Sequence, residues 1–82
     1  MSFEFREIPV YKLAKEFHTD VKNVLMCQRS DRIISDQLKR ASLSIVLNIA
    51  EGYGRFHPKD KRNFYVNARA SINECIACLD VI

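Results

Sequence analysis

Cations are the side chains in this 82-residue sequence whose number and placement could do chemistry. Residues 28–70 carry nine lysines and arginines against four acidic residues, whereas residues 1–27 balance four against four and residues 71–82 carry only Glu74 and Asp80. The net charge of +3 is therefore concentrated in the middle of the chain, a distribution compatible with a phosphate-bearing partner. A solvated basic turn accounts for it equally well on the residues alone. Tyr53 and Phe56 flank Arg55, an arrangement that can stack on unpaired bases. Packing into the core or turn is the better-supported role for both rings.

Other chemistries find little support. Cys75 and Cys78 form a CxxC, but inside a helical pattern, and the remaining Cys27, His18 and His57 show no recurrent ligand spacing. Cysteine as a small buried hydrophobe is the better account, so neither metal nor cofactor is expected. There is no glycine-rich phosphate loop, no HExxH and no nucleophile motif with a recognisable partner. His18 is expected on the exposed side of its helix and His57 in a turn. A non-enzymatic protein is expected.

The elements that must position these residues are helical. The first helix is expected over residues 9–26, opened by Pro9, whose missing N–H is not needed there. Val10, Ala14, Phe17, Val21 and Val24 recur at spacings of four and three, a bundle seam that Leu13 and Leu25 widen. Ser30 or Asp31 offers the cap for a second helix over 31–51. There Ile34, Leu38, Ala41, Ile45 and Asn48 repeat the seam, so Asn48 is read as a register-fixing polar residue. Leu43, Val46, Leu47 and Ile49 lie off that seam and need other cover. They are the candidate subunit interface, or the contact for a helix this chain lacks. Gly52 is placed where a left-handed residue would end the helix, with Gly54 a second pivot. Glu51, in the last turn where the dipole disfavours an anion, is expected to be clamped by Arg55. Pro58 opens a third helix over 58–82, with Phe64, Tyr65, Ala68, Ile72, Cys75, Leu79 and Ile82 facing inward.

The result is a single all-α domain, an antiparallel up-and-down bundle. Burial of about 5,000 Å² of apolar surface at ~25 cal/mol per Å² is worth roughly 125 kcal/mol. Ordering the chain at ~1.5 kcal/mol per residue costs about as much. Self-association or a further element is therefore expected to contribute to stability. The last helix stops on apolar Ile82 without glycine or a basic turn, so either the chain is a fragment or another element covers this end. The acidic, non-apolar N-terminus is unlike a signal peptide, and apolar runs fall short of a membrane span. A cytoplasmic protein is expected.

The segments Gln37–Ala41, Ser44-Ile45 and Asn48-Ile49-Ala50-Glu51-Gly52-Tyr53-Gly54-Arg55 resemble the signature of the bacterial four-helix-bundle family encoded in intervening sequences of large-subunit ribosomal RNA genes. Asn67-Ala68-Arg69-Ala70-Ser71-Ile72-Asn73-Glu74 is similar to its third-helix motif. Phe5-Arg6-Glu7-Ile8 with Val10–Ala14 is similar to its opening. Ala70 stands where the family usually has glycine, His57 stands where a serine-like cap is common, and the family's fourth helix has no counterpart in this sequence. The resemblance implies four antiparallel helices of which three are present, homo-oligomeric rings (commonly pentamers) and no recognised enzymatic activity. Relatives that serve diversity-generating retroelements are thought to engage nucleic acid and a reverse transcriptase through basic surfaces. The corresponding positions here are Arg40, Arg55 and Arg69, with Lys59, Lys61 and Arg62 beside them. Structural roles are expected for Asn48, Glu51, Gly52, Gly54 and Glu74. Two functions follow as expectations. One is an oligomeric bundle binding RNA or other nucleic acid through the basic surface. The other is an adaptor that recognises protein partners through its apolar faces.

Overall fold

The computed structural model describes residues 3–27 and 31–82. A short 3₁₀ turn over Glu4–Glu7 leads into α1 (Pro9–Cys27), α2 (Arg32–Tyr53) and α3 (Pro58–Val81). The expected boundaries fall within two residues of these, because the start signals are local. Asp31 caps α2 by accepting the Ile33 N–H at 2.8 Å; the alternative cap, Ser30, lies outside the described residues. Pro58 occupies the first turn of α3. The 3₁₀ turn is fastened to α1 by the edge of Phe5 against Tyr11, centroids 5.1 Å apart, and by the Lys12–Glu7 ion pair at 3.3 Å.

Helix α2 is the centre of the molecule. Both α1 and α3 pack on it, and α1 and α3 make no appreciable contact with each other. Leu38, Ala41, Ser42, Ile45, Val46, Ile49 and Gly52 are its buried residues. The α2–α3 seam is antiparallel, since Ser44 meets Ser71 while Gly52 meets Phe64 and Tyr65. On α3 the residues turned inward are Lys61, Phe64, Ala68, Ser71, Cys75 and Cys78, a clean alternation of three and four dominated by small side chains. Expected inward positions Tyr65, Ile72, Leu79 and Ile82 are instead exposed.

Three further readings of the sequence need correction. Gly52 is not a left-handed stop: it is buried inside α2, and no described glycine has positive φ. Its missing side chain serves packing. A Cβ there would lie 2.7 Å from Tyr65 Cε1, closer than packed atoms approach, and 3.1 Å from Phe64 Cβ, a tight contact. Gly54, the C-cap, also has ordinary helical angles (φ −79°, ψ −4°). Secondly, His18 does not face water. It is half-buried against α2, with Nδ1 2.6 Å from Oγ of the fully buried Ser42, whose hydroxyl also lies 3.0 Å from the Lys39 carbonyl oxygen. Thirdly, the α1 seam is rotated by one position. Ala14, Val21 and Leu25 are buried with Tyr11, Phe17 and His18 partly so, while Val10, Leu13 and Val24 are at least half exposed.

That rotation has a cause. The apolar stripe of α1 is wider than its contact with α2, and the surplus faces a groove running between α1 and α3 over the floor of Ile45 and Ile49. Val10, Leu13, Ile72, Ile76 and Leu79 line its walls and are 43–66% exposed, and Glu16 and Asp20 sit on its α1 rim. The volume is about 540 Å³. The chain accordingly exposes 6309 Å², against about 5,000 Å² expected of a compact monomer of this mass.

Two measurements test this packing. Gly52→Ala gains ~1 kcal/mol of helix propensity but overfills a contact whose relief costs ~1–3 kcal/mol, because Phe64 Cβ cannot move without moving α3. A net loss of about 1–2 kcal/mol in urea unfolding is expected; a more stable variant would mean that the helices are not held this close. The His18 pKa is lowered by burial and, secondarily, by the Lys22 charge. The unfolded chain therefore binds the proton more readily, and stability is full above the unfolded value near 6.5 and declines as pH falls below it. The urea midpoint should drop modestly between pH 7.5 and 5.5, and this component should vanish in His18→Gln.

Candidate nucleic-acid interface

The basic region is built at the α2–α3 turn. α2 closes with Gly54 N–H donating to the Ala50 carbonyl and Arg55 N–H to that of Gly52, both at 3.3 Å. His57 caps α3 with backbone only: its side chain makes no capping bond, while its carbonyl accepts from Lys61 N–H at 3.0 Å. Pro58 sets the helical φ that lets α3 start without a side-chain cap.

From there the cations separate into three environments. Arg55 donates to Glu51 Oε2 at 3.1 Å and lies 4.8 Å over the Phe64 ring. Its charge is thus balanced locally by one carboxylate contact, which the other cations of the set lack. Lys61, Arg62 and Arg69 line a shallow groove of about 490 Å³ together with Pro58, Tyr65 and Val66. Arg62 and Arg69, seven residues apart, stand on one side of α3 about 10 Å from each other. Lys61 is half-buried, its Nζ 6.0 Å from the Tyr53 ring. No carboxylate lines this groove, and neither arginine forms an ion pair with a described residue. Lys59 and Arg40 complete the set but do not join it. Lys59 is exposed in the first turn of α3 outside the groove lining, and Arg40 lies on α2 a turn before Ser44, towards the C-terminal half of α3.

The other candidate positions are also distributed. Val46 and Ile49, read as subunit-interface residues, are each 6% exposed and belong to the chain's own core. They are off the first seam because α2 is flanked on two sides, so that it needs two buried stripes. Leu43 and Leu47, one turn apart, are 42% and 54% exposed and remain available to a partner. Asn48 does not bridge helices directly. Its Nδ2 donates to the Ser44 carbonyl at 2.9 Å and to Ser44 Oγ at 3.0 Å, and Ser44 in turn receives the Ser71 hydroxyl at 2.9 Å from α3. Glu74 is exposed and pairs with no described residue.

No three His, Cys, Asp or Glu side chains among the described residues are placed to hold a metal ion. Burial, helped by Cys78 and Glu74, pushes the Cys75 thiol up to about 11, so it is protonated and inert as a nucleophile or ligand at neutral pH. No helix among the described residues is long and apolar enough to cross a membrane. What this geometry can do is hold anionic oxygens along one side of α3.

The sequence reading missed two features of this surface. Phe56, assigned to packing, is fully exposed; its place in a turn, with no helical seam to join, is the signal that could have shown it. Tyr65 and Val66, assigned inward or unassigned, line the groove, as their spacing of three and four from Arg62 allows.

No curated protein and no solved structure matches the chain. The family model described as 23S rRNA-intervening sequence protein, however, matches residues 6–82, from the 3₁₀ turn to the end of α3. With three helices in the expected order and the match covering nearly their whole length, the chain belongs to the 23S rRNA-intervening sequence protein family.

Proposed function

We propose that this protein is a non-enzymatic helical-bundle protein that binds RNA through the cationic side of α3 and does so as a homo-oligomer. The observation that carries this reading is the convergence of Lys61, Arg62 and Arg69 on one groove free of carboxylates. Cations spread at random along a solvated helix would be interleaved with acids. Here the only acid between residues 58 and 73, Asp60, stays outside the lining. The family description, which refers to ribosomal RNA, supports RNA as the nucleic acid. Three cations per chain bind weakly at physiological salt. A ring, such as the pentamer that the resemblance implies, multiplies them, and each phosphate neutralised adds to the salt dependence. Leu43, Leu47 and the α1–α3 groove offer the apolar surface that such assembly needs.

A second reading is favoured by that groove itself. Its apolar walls and the excess accessible surface suit a helix, either the fourth helix of the family bundle or one from a protein partner. In that case the protein is an adaptor, and the basic turn maintains solubility.

The triple variant Lys61→Ala, Arg62→Ala, Arg69→Ala separates the two. Titrated against labelled structured RNA by fluorescence anisotropy, it should bind at least tenfold more weakly than the parent, and the slope of log affinity against log salt should become shallower by about two to three. Sedimentation should show unchanged assembly. Unchanged RNA affinity, with partner binding abolished instead by Leu13→Asp or Ile76→Asp, would establish the adaptor reading.

A further inference from the structure

We propose that the α2–α3 turn and the first half of α3 form a stacking site for unpaired RNA bases. Phe56 and Tyr65 are the platforms, and Lys61, Arg62 and Arg69 are the phosphate contacts. This rests on the reading of the α3 groove as a phosphate-binding face and names the kind of RNA segment it takes.

A lone exposed phenylalanine is unremarkable on a protein surface. Phe56 differs in its surroundings. It is fully exposed and touches no other aromatic ring or cation among the described residues. It stands between Arg55 and His57, two residues before Pro58, where the cationic groove begins. A second ring lies inside that groove. Tyr65 is 39% exposed, and its Cδ1–Cε1 edge rests on Gly52, where only a glycine leaves room. Its position is therefore fixed from behind by helix packing, so little freedom is lost when a base lies on it. Pro58 and Val66 add apolar surface to the groove lining beside the charges.

One ring among cations and apolar side chains in the groove, with a second ring in the turn that leads into it, discriminates among polyanions. An RNA duplex shuts its base faces inside the stack and presents phosphates and 2′-hydroxyls, for which two aromatic rings are of no use. An acidic peptide could satisfy the cations but has no flat faces to set on the rings. An unpaired segment has both, alternating phosphates with bases that can be splayed onto aromatic side chains, largely without regard to sequence. Stacking is not screened by salt, so the rings add affinity at the ionic strength where three cations alone are weak.

The test uses the intact protein and three labelled probes at one salt concentration: a single-stranded RNA 12-mer, an abasic ribose-phosphate 12-mer, and a 12-base-pair RNA duplex. The single strand should bind about tenfold or more tightly than either of the others. Phe56→Ala, which removes no packing contact, should weaken single-strand binding roughly tenfold, and Tyr65→Leu should do likewise, by up to a hundredfold for the pair. The salt slope should stay unchanged, as should the abasic probe's affinity. Abasic or duplex binding equal to that of the single strand, or full affinity in Phe56→Ala, overturns the stacking site and leaves the phosphate reading standing. Absence of binding to all three probes by a folded sample overturns both.

Discussion

With no side chain at Gly52, α2 and α3 close until Tyr65 and the Cβ of Phe64 lie almost on the α2 backbone. The small residues along the rest of the seam, Ala41, Ser44, Ala68, Ser71 and Cys75, extend the close approach over the length of the two helices. Where the separation leaves room for polar atoms they are paired, Ser71 with Ser44 and Ser44 with Asn48, and on the α1 side of α2 Ser42 is paired with His18. No buried side-chain nitrogen or oxygen among the described residues lacks a partner, which is what allows hydroxyls to stand in a seam otherwise made of hydrocarbon. This contact sets the rotation of α3. By turning Phe64, Ala68, Ser71, Cys75 and Cys78 inward it turns Arg62, Tyr65 and Arg69 outward together, with half-buried Lys61 at the border between the two faces.

The same arrangement explains the open surface. Because α2 receives α1 on one side and α3 on another, the two outer helices stand apart, and the apolar residues between them line a groove. The cationic groove and this apolar groove share α3. Residues 58–69 contribute the first, and residues 72–79 the second. One helix thus carries a cationic groove and an apolar groove end to end, formed by different side chains.

Helix number, order and limits were legible in the sequence because Pro9, Asp31 and Pro58 act within a turn of themselves. The periodicity of each apolar stripe was legible too. Its direction was not: in α1, Val10 and Val24 fit a four-three repeat as well as Tyr11 and Leu25 do, and only the position of α2 decides which set is buried. Gly52 looked like a stop because glycine near a helix end usually is one. Its actual role depends on Tyr65, thirteen residues away across a turn. The basic cluster was legible as charge density. Which cations converge was not, since that requires knowing that Arg55 is held by Glu51 and Phe64, and that Arg40 lies near the middle of α2, away from the turn.

Two surfaces compete for the partner: the cationic side of α3, which the proposed function assigns to RNA, and the apolar groove between α1 and α3. The most direct measurement is to titrate ¹⁵N-labelled protein with structured RNA and follow the backbone amide shifts. RNA binding at the cationic side should give saturable changes at residues 55–69, centred on Lys61, Arg62, Tyr65 and Arg69, with Leu13, Ile76 and Leu79 unmoved. Shifts confined to the apolar groove, or none at RNA concentrations well above micromolar, would contradict it.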